Sequence, residues 1–330
     1  MTFARIALAI HCAAAAALLL SGPATAQNAA ANYPSRTVQI IVPFAPGAGT
    51  DIETRLYAQK LTEALGRSFV VDYKPGAGST IGGASVAKAT PDGYTLMSAT
   101  PSNGIAALLY KDLPYDPIKD FAFISMMRKR PSMLIASNTF PPKDVKEYMD
   151  YARKFPGKIN LATSGAGGVA HLSMEWLHWA TKTKVTFIHF KGGGPANTAV
   201  MANQVDGVIG SVAAMMNQIK AGKARAIGVT SLQRLKPLPD VPTVAEQALP
   251  GWEYAQWVGL TAPAKTPKPI IDKLAGELAK IARDPELAQK FADDATEMIG
   301  NTPEQFTAYV VSEAARWKKL IEDVHITLEP

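Results

Sequence analysis

The chain has 330 residues, of which 47% are hydrophobic and 19% charged, with a formal net charge of +6. That balance excludes a disordered chain, and the length suits two lobes better than one core. With no Lys/Arg block and no basic stripe interleaved with aromatics, nucleic acid is excluded as a partner, while a mild positive field favours small anions.

The N-terminus comes first. Met1 to Arg5 brings one positive charge, and Ile6 to Leu20 is apolar apart from His11 and Cys12. Gly22 and Pro23 then break the run, and Ala24-Thr25-Ala26 precedes Gln27. This is the order of a secretory signal peptide, so cleavage after Ala26 and export to the periplasm are expected. A membrane anchor would need about 20 apolar residues, and this run is shorter. Cys12, the one cysteine, lies in the segment to be removed. The mature protein is therefore expected to carry no lipid, no disulfide and no thiol for catalysis or metal binding.

Residues 27–33 read as a disordered leader. Beyond them, 38–44, 68–73 and 95–100 read as buried strands, with helices at 51–65 and 81–89 between them. The first helix places Ile52, Leu56, Leu61 and Leu65 on an apolar stripe and stops at Gly66. Helices follow at 144–154 and 169–181, with strands at 158–163, 185–190, 205–209 and 224–230. The stretch 235–250 carries four prolines and reads as an extended connector that tolerates no helix. A strand at 257–261 precedes helices at 270–283 and 303–322, the last opened by the cap Thr302-Pro303-Glu304-Gln305. The alternation predicts an α/β protein with parallel sheets covered by helices on both faces. We expect lobe 1 to comprise 27–130 with 255–330 and lobe 2 to comprise 131–254. Two crossings, near 133–137 and 257–261, would join them. A ligand site would then lie in the cleft, at the carboxyl ends of the strands.

Four glycine turns each join a strand to a helix: Val42 to Asp51, Lys74 to Thr80, Ser164 to Ala170, and Lys191 to Pro195. In the first, Thr50 and Glu53 stand at capping-box spacing, which places a helix N-terminus, and its free N–H groups, at the end of the loop. Each turn alone is equally consistent with plain turn chemistry. Two pairs divided between two lobes describe opposed rings of backbone donors.

Other chemistries fit poorly. Gly165 to Ala170 matches the G-x-G-x-x-A dinucleotide pattern, but the strand after it ends in Lys191 and not in an acid. No phosphate loop and no nucleophile elbow occurs, and no cofactor is expected. His171 and His178 are too far apart for the i, i+4 zinc pair. His178 reads as packed, while His171, in the first turn after the third loop, either donates to an anion or caps. His189 and His325 join no set, and no nucleophile–base or metal constellation can be assembled, so an enzyme is not expected.

The motifs YPSRTVQIIVPFAPGAGTDIETR, KPGAGSTIGG, ATPDGYTL, SGAGGVAHL, HFKGGGPANTAV, QVDGVIG, IKAGKARAIGVTS, LPDVPTVAEQ and WVGLTAPAKTP occur in that order. Together they resemble the substrate-binding proteins of tripartite tricarboxylate transporters, the Bug or TctC-type family, from Tyr33 to near Asp323. The resemblance implies a two-lobed type II periplasmic-binding-protein fold that closes on a carboxylate. It also implies ligand contacts at Phe44, Ala48, Gly49, Thr50, Asp51, Ser79 and Ser102 in the first lobe. In the second lobe it implies Ser164, Gly165, Gly167, His171 and Gly192.

One departure stands out. Many relatives read roughly FDN where this chain has Ile209-Gly210-Ser211, so an acid is replaced by Gly210, and Gly210 and Ser211 join the candidate set. The exchange is expected to free room in the cleft and remove a negative charge. The first loop reads Gly47-Ala48-Gly49 where relatives often carry three glycines. The expected ligand is a di- or tricarboxylate, or one carboxylate on a bulky apolar body, without an α-amino group. The expected partner is the membrane permease of a tripartite tricarboxylate-type transporter, served by a monomer. The alternative is a sensory binding protein that presents its liganded form to a periplasmic signalling domain.

Overall fold

The computed structural model describes residues 32–44, 46, 49–109, 112–165, 168–190, 192–291 and 295–324. Three βα units come first. β1 (Val38–Val42) leads to α1 (Gly49–Leu65), β2 (Phe69–Tyr73) to α2 (Thr80–Ala87), and β3 (Thr95–Ala99) to α3 (Pro101–Leu109). The long strand β4 (Phe121–Ala136) is followed by α4 (Val145–Lys154), β5 (Asn160–Thr163), α5 (Val169–Ala180), β6 (Thr186–His189) and α6 (Gly193–Met201). Next come β7 (Gly207–Ser211), α7 (Val212–Lys220), β8 (Arg225–Val229), the one-turn α8 (Val244–Gln247) and β9 (Ala255–Pro263). Last are α9 (Lys268–Ile281), α10 (Pro285–Phe291), the two-residue β10 (Glu297–Met298) and α11 (Pro303–Val324).

The strands form two sheets that share β4. In the first, the order is β2-β1-β3-β9-β4, with β10 also on β4. β1 runs parallel to β2 and β3, and β9 runs antiparallel to β3 and β4. In the second, β4 continues to β7, β5 and β6, with β8 also on β4. There β5 is parallel to β6 and β7, while β4 opposes β7 and β8. Both sheets are therefore mixed, where the alternation of elements had suggested parallel ones. The reason is that β4 and β9 are the strands that carry the chain between the halves, and each enters its sheet from the opposite end.

The change of sheet along β4 falls at a proline. Pro131 is the last β4 residue paired with β9, and Ser132 the first paired with β7. A proline has no N–H to give to a ladder, so pairing is weakest where the strand must switch partners. Thr230 ties this point to the return path: Ser132 N donates to Thr230 Oγ1 at 2.8 Å, and Thr230 Oγ1 donates to Tyr254 O at 2.6 Å. The chain passes between the sheets at Pro131–Ser132 and again just before Ala255, slightly ahead of the segments expected from sequence.

Period-2 alternation in β4 divides the second core. Leu134 and Ala136 face Tyr148, Met149 and Leu177, whereas Met133 and Ile135 face Ala199, Val200 and Met215. The first sheet is covered likewise, by α1 and α9 on one face and by α2 and α11 on the other. Two sequence expectations fail here. Ile52 is 57% exposed, because the inward row of α1 begins with Glu53 and Thr54 and continues through Tyr57, Ala58 and Leu61. The proline-rich stretch 235–250 does hold a helix, α8. Its prolines lie outside that single turn, which a reciprocal capping box between Thr243 and Glu246 closes.

A small apolar cluster bridges the halves. Ile105 of α3, together with Trp317 and Leu320 of α11, buries Leu172 of α5, and the Arg316 guanidinium lies 4.7 Å above the Trp176 ring. Leu172→Ala should therefore cost about 2–5 kcal/mol of stability in urea unfolding, and a loss below ~1 kcal/mol would mean that this seam is loosely packed. His178 provides a second test. It is buried between Tyr148 Oη at 2.9 Å and Thr183 Oγ1 at 2.7 Å, and burial pushes its imidazole down from 6.5 to about 4. The unfolded chain thus binds the extra proton first, so this contribution is complete above pH 6.5 and is lost as pH falls toward 4. Replacing His178 by Gln should flatten the urea-midpoint profile across that interval; an unchanged slope would place the acid sensitivity elsewhere.

Candidate functional site

The carboxyl ends of β1 and β3 and the start of α5 enclose a cavity of about 190 Å³. Phe44, Thr50, Thr100 and Ser102 line it from the first lobe, and Val169 reaches it from the second. Three residues implied by the family resemblance, Phe44, Thr50 and Ser102, thus meet in one place. Arg128, Gln256 and Trp257 complete the walls, and none of them was read as a site residue. Arg128 carried a signal, being an arginine that directly follows the mostly apolar run Phe121 to Met127. Trp257 is held by its indole N–H, which donates to Glu313 Oε2 at 2.6 Å; burial raises that carboxyl above its ordinary range.

At the first loop, α1 opens at Gly49, one residue ahead of the expected Thr50 cap. The Glu53 carboxylate is turned inward: Arg128 Nη2 donates to it, and Arg130 Nη1 stands 3.8 Å from its other oxygen. The T-x-x-E spacing therefore reports a buried ion pair. Asp51 is buried too, with Oδ1 accepting from Arg55 Nε and Tyr73 Oη, both at 2.7 Å. Its charge is committed within lobe 1. Ala48, like Gly47, lies outside the described residues.

Ser79 sits at the N-cap of α2 with φ of 83°, a left-handed conformation unusual for a side-chain-bearing residue. Its Oγ accepts from Asn103 Nδ2 at 3.1 Å, and Asn103 Oδ1 accepts from Thr100 N at 2.7 Å. Asn103 was not singled out from sequence, although an asparagine in the first turn of a helix is a recognised local acceptor for the N–H of the residue that precedes the helix.

In the second lobe, the third and fourth glycine loops are tied together, because Gly192 N donates to Ser164 O at 3.1 Å. Gly165 and Gly192 have φ of 152° and 109°, values that favour glycine. His171 is buried in the first turn of α5, its Nε2 3.4 Å from Glu175 Oε1 and its ring 4.6 Å from that of His189. Gly167 lies outside the described residues. Ser211 is the N-cap residue of α7. The room expected at Gly210 is taken: a Cβ there would stand 3.1 Å from both Asn197 Oδ1 and Ile135 Cδ1. The missing side chain is filled by neighbours within lobe 2. Among the described residues, no group of three or more His, Cys, Asp or Glu is placed to hold a metal.

Comparison with known proteins places this architecture. The model of the tripartite tricarboxylate transporter family receptor matches residues 54–326. The periplasmic binding protein BugD superposes with a TM-score of 0.72 at 36% identity, covering 90% of this chain and 100% of its own. An R. palustris protein solved with adipate gives a TM-score of 0.74 at 32% identity, covering 89% and 99%. MatC from Rhodopseudomonas palustris, solved with bound malate, gives 0.71 at 32%, covering 88% and 100%. With its two mixed sheets and its cavity between them, the chain belongs to the tripartite tricarboxylate transporter receptor family, the TctC-type Bug proteins, periplasmic solute-binding receptors of type II two-lobed fold.

Proposed function

We propose that the protein captures a small carboxylate in the periplasm and delivers it to the permease of a tripartite tricarboxylate-type transporter. The observation that carries this reading is the cavity walled by Thr50, Thr100 and Ser102 on one side and Val169 on the other. It puts hydroxyls and a helix N-terminus where an anion would be held, and apolar surface where its carbon body would lie. Relatives of the same fold hold adipate and malate. In this reading residues 27–130 with 255–330 and residues 131–254 close as lobes 1 and 2. The leader is removed after Ala26, and the mature receptor acts as a monomer.

The ligand class follows from charge. The two acids at the start of α1, Asp51 and Glu53, already serve Arg55 and Arg128. An ammonium group enclosed in the cleft would need an anionic partner of its own, and burying it without one is costly. Diacids and aryl carboxylates should therefore bind, and α-amino acids should not. Calorimetric titration with matched pairs, succinate against aspartate and phthalate against phenylalanine, measures this; tight binding of the amino acids alone overturns it.

Thr50 provides the companion test. It stands inside α1, so Thr50→Ala removes no helix cap and its effect is read directly on binding. Loss of a hydrogen bond to a charged ligand should weaken affinity by about 1.5–3 kcal/mol. Unchanged affinity would mean that the first loop does not hold the anion.

A further inference from the structure

We propose that Asn103 is a positioning residue for ligand: it sets the direction of the Ser79 hydroxyl, so that the proton of this group is turned away from Asn103 and offered to whatever occupies the cleft. The inference rests on the carboxylate reading above and goes beyond it by assigning a role to a residue outside the cavity wall.

The geometry fixes the polarity step by step. The Thr100 backbone N–H can only donate, and the Asn103 atom it meets at 2.7 Å must therefore be the carbonyl oxygen Oδ1. Thr100 Oγ1 also reaches this oxygen, at 3.3 Å. The other face of the amide is then necessarily the NH₂ group, which stands 3.1 Å from Ser79 Oγ. An amide nitrogen donates and does not accept. Ser79 Oγ must receive this bond, and its own proton has to go elsewhere.

Among the described residues that proton meets no acceptor; the one side-chain bond Ser79 makes is the one it receives. Ser79 is only 2% exposed, and a buried hydroxyl proton left unused is unfavourable. Ser79 is not itself among the residues that line the cavity, but its neighbours lead to it. The residue ends the turn after β2, beside the ends of β1 and β3, and its partner Asn103 is bonded to Thr100, which lines the cavity. Ser79 is further held in a left-handed conformation at φ 83°, which is costly unless the surroundings require it. A carboxylate oxygen is the acceptor this arrangement suits, since it accepts without needing to donate in return.

The decisive variant is Asn103→Asp, which keeps shape and reverses polarity. Thr100 N still finds an oxygen, while the second carboxylate oxygen now takes the Ser79 proton and withdraws it from the ligand. Titrations with adipate, malate and phthalate are expected to show Kd raised roughly 10- to 100-fold, the worth of one hydrogen bond to a charged group. Ser79→Ala should cause a loss of the same order. In the double variant, Asn103→Asp should then add less than about threefold, because interacting sites are not additive. A purely structural or purely electrostatic role predicts instead that the full factor persists without the Ser79 hydroxyl, and that result would overturn the proposal. Should Asn103→Asp fail to fold, Asn103→Ala serves the same cycle. It frees the Ser79 rotor, so the expected loss is smaller and should again vanish beside Ser79→Ala. Failure of every carboxylate to bind the wild-type protein would sink the functional reading and this inference with it. Wild-type binding that is unaltered in both Asn103 variants would sink this inference alone.

Discussion

The buried pair between Glu53 and Arg128 holds the binding loop in register with the rest of the molecule. Glu53 lies just past the first turn of α1, soon after the glycine loop, and Arg128 belongs to the part of β4 paired with β9. Both side chains are almost fully buried, and Arg128 Nη1 also donates to Gln256 O of β9 at 3.2 Å. A buried ion pair brings little net stability, since desolvation consumes most of its Coulomb energy, but removing one partner strands the other at a cost of about 3–5 kcal/mol. Its effect is therefore to forbid alternatives: α1 cannot shift along the sheet without exposing an unpaired charge. The N-terminus that faces the cavity is fixed by a residue one turn into its own helix.

β4 extends this constraint to the second lobe. The strand that carries Arg128 passes Pro131 and becomes part of the other sheet, and Thr230 knots the passage to the returning chain at Tyr254. Continuous backbone through this point allows the halves to rotate and resists sliding. The seam of α11 on α5 adds a second link, and Val169 belongs to both: it lines the cavity and packs against the cluster of Leu172 and Trp317. Contact with a ligand and packing across the seam therefore share one side chain, so neither can be altered without reaching the other.

Much of this architecture could be read from the sequence. β1 and β2 were legible because short apolar runs ended in glycine turns, and the helix at 303–322 because its cap and periodicity agreed. What escaped was determined at a distance. The Thr50–Glu53 spacing imitates a local cap, yet the partner of Glu53 lies 75 residues away, beyond any local pattern. Ile52 fits an apolar stripe by composition, but the ion pair and Thr54 claim the inward face, so Ile52 is turned out. The four-residue α8 was hidden because its prolines suggested an extended chain and only the reciprocal Thr243–Glu246 bonds stabilise it. Gly210 was read as open space because a glycine records only a missing side chain; what fills that space, Asn197 and Ile135, comes from other elements.

The site residues that local patterns did reveal are those whose chemistry is backbone chemistry, the glycine loops and the helix starts. Those that set polarity were hidden, because their meaning depends on partners. Arg128, Asp51 and Glu53 would each suggest a charged contact with ligand if read alone, yet each is engaged with another side chain of the first lobe. Besides the paired Arg128 and the amide of Gln256, the wall offers the hydroxyls of Thr50, Thr100 and Ser102, with apolar Phe44, Val169 and Trp257 around them. Such a cavity selects by hydrogen-bond direction and desolvation more than by formal charge. A carboxylate can take hydroxyl protons at the wall, whereas an ammonium group would find the nearby carboxylates of Asp51 and Glu53 already paired with arginines.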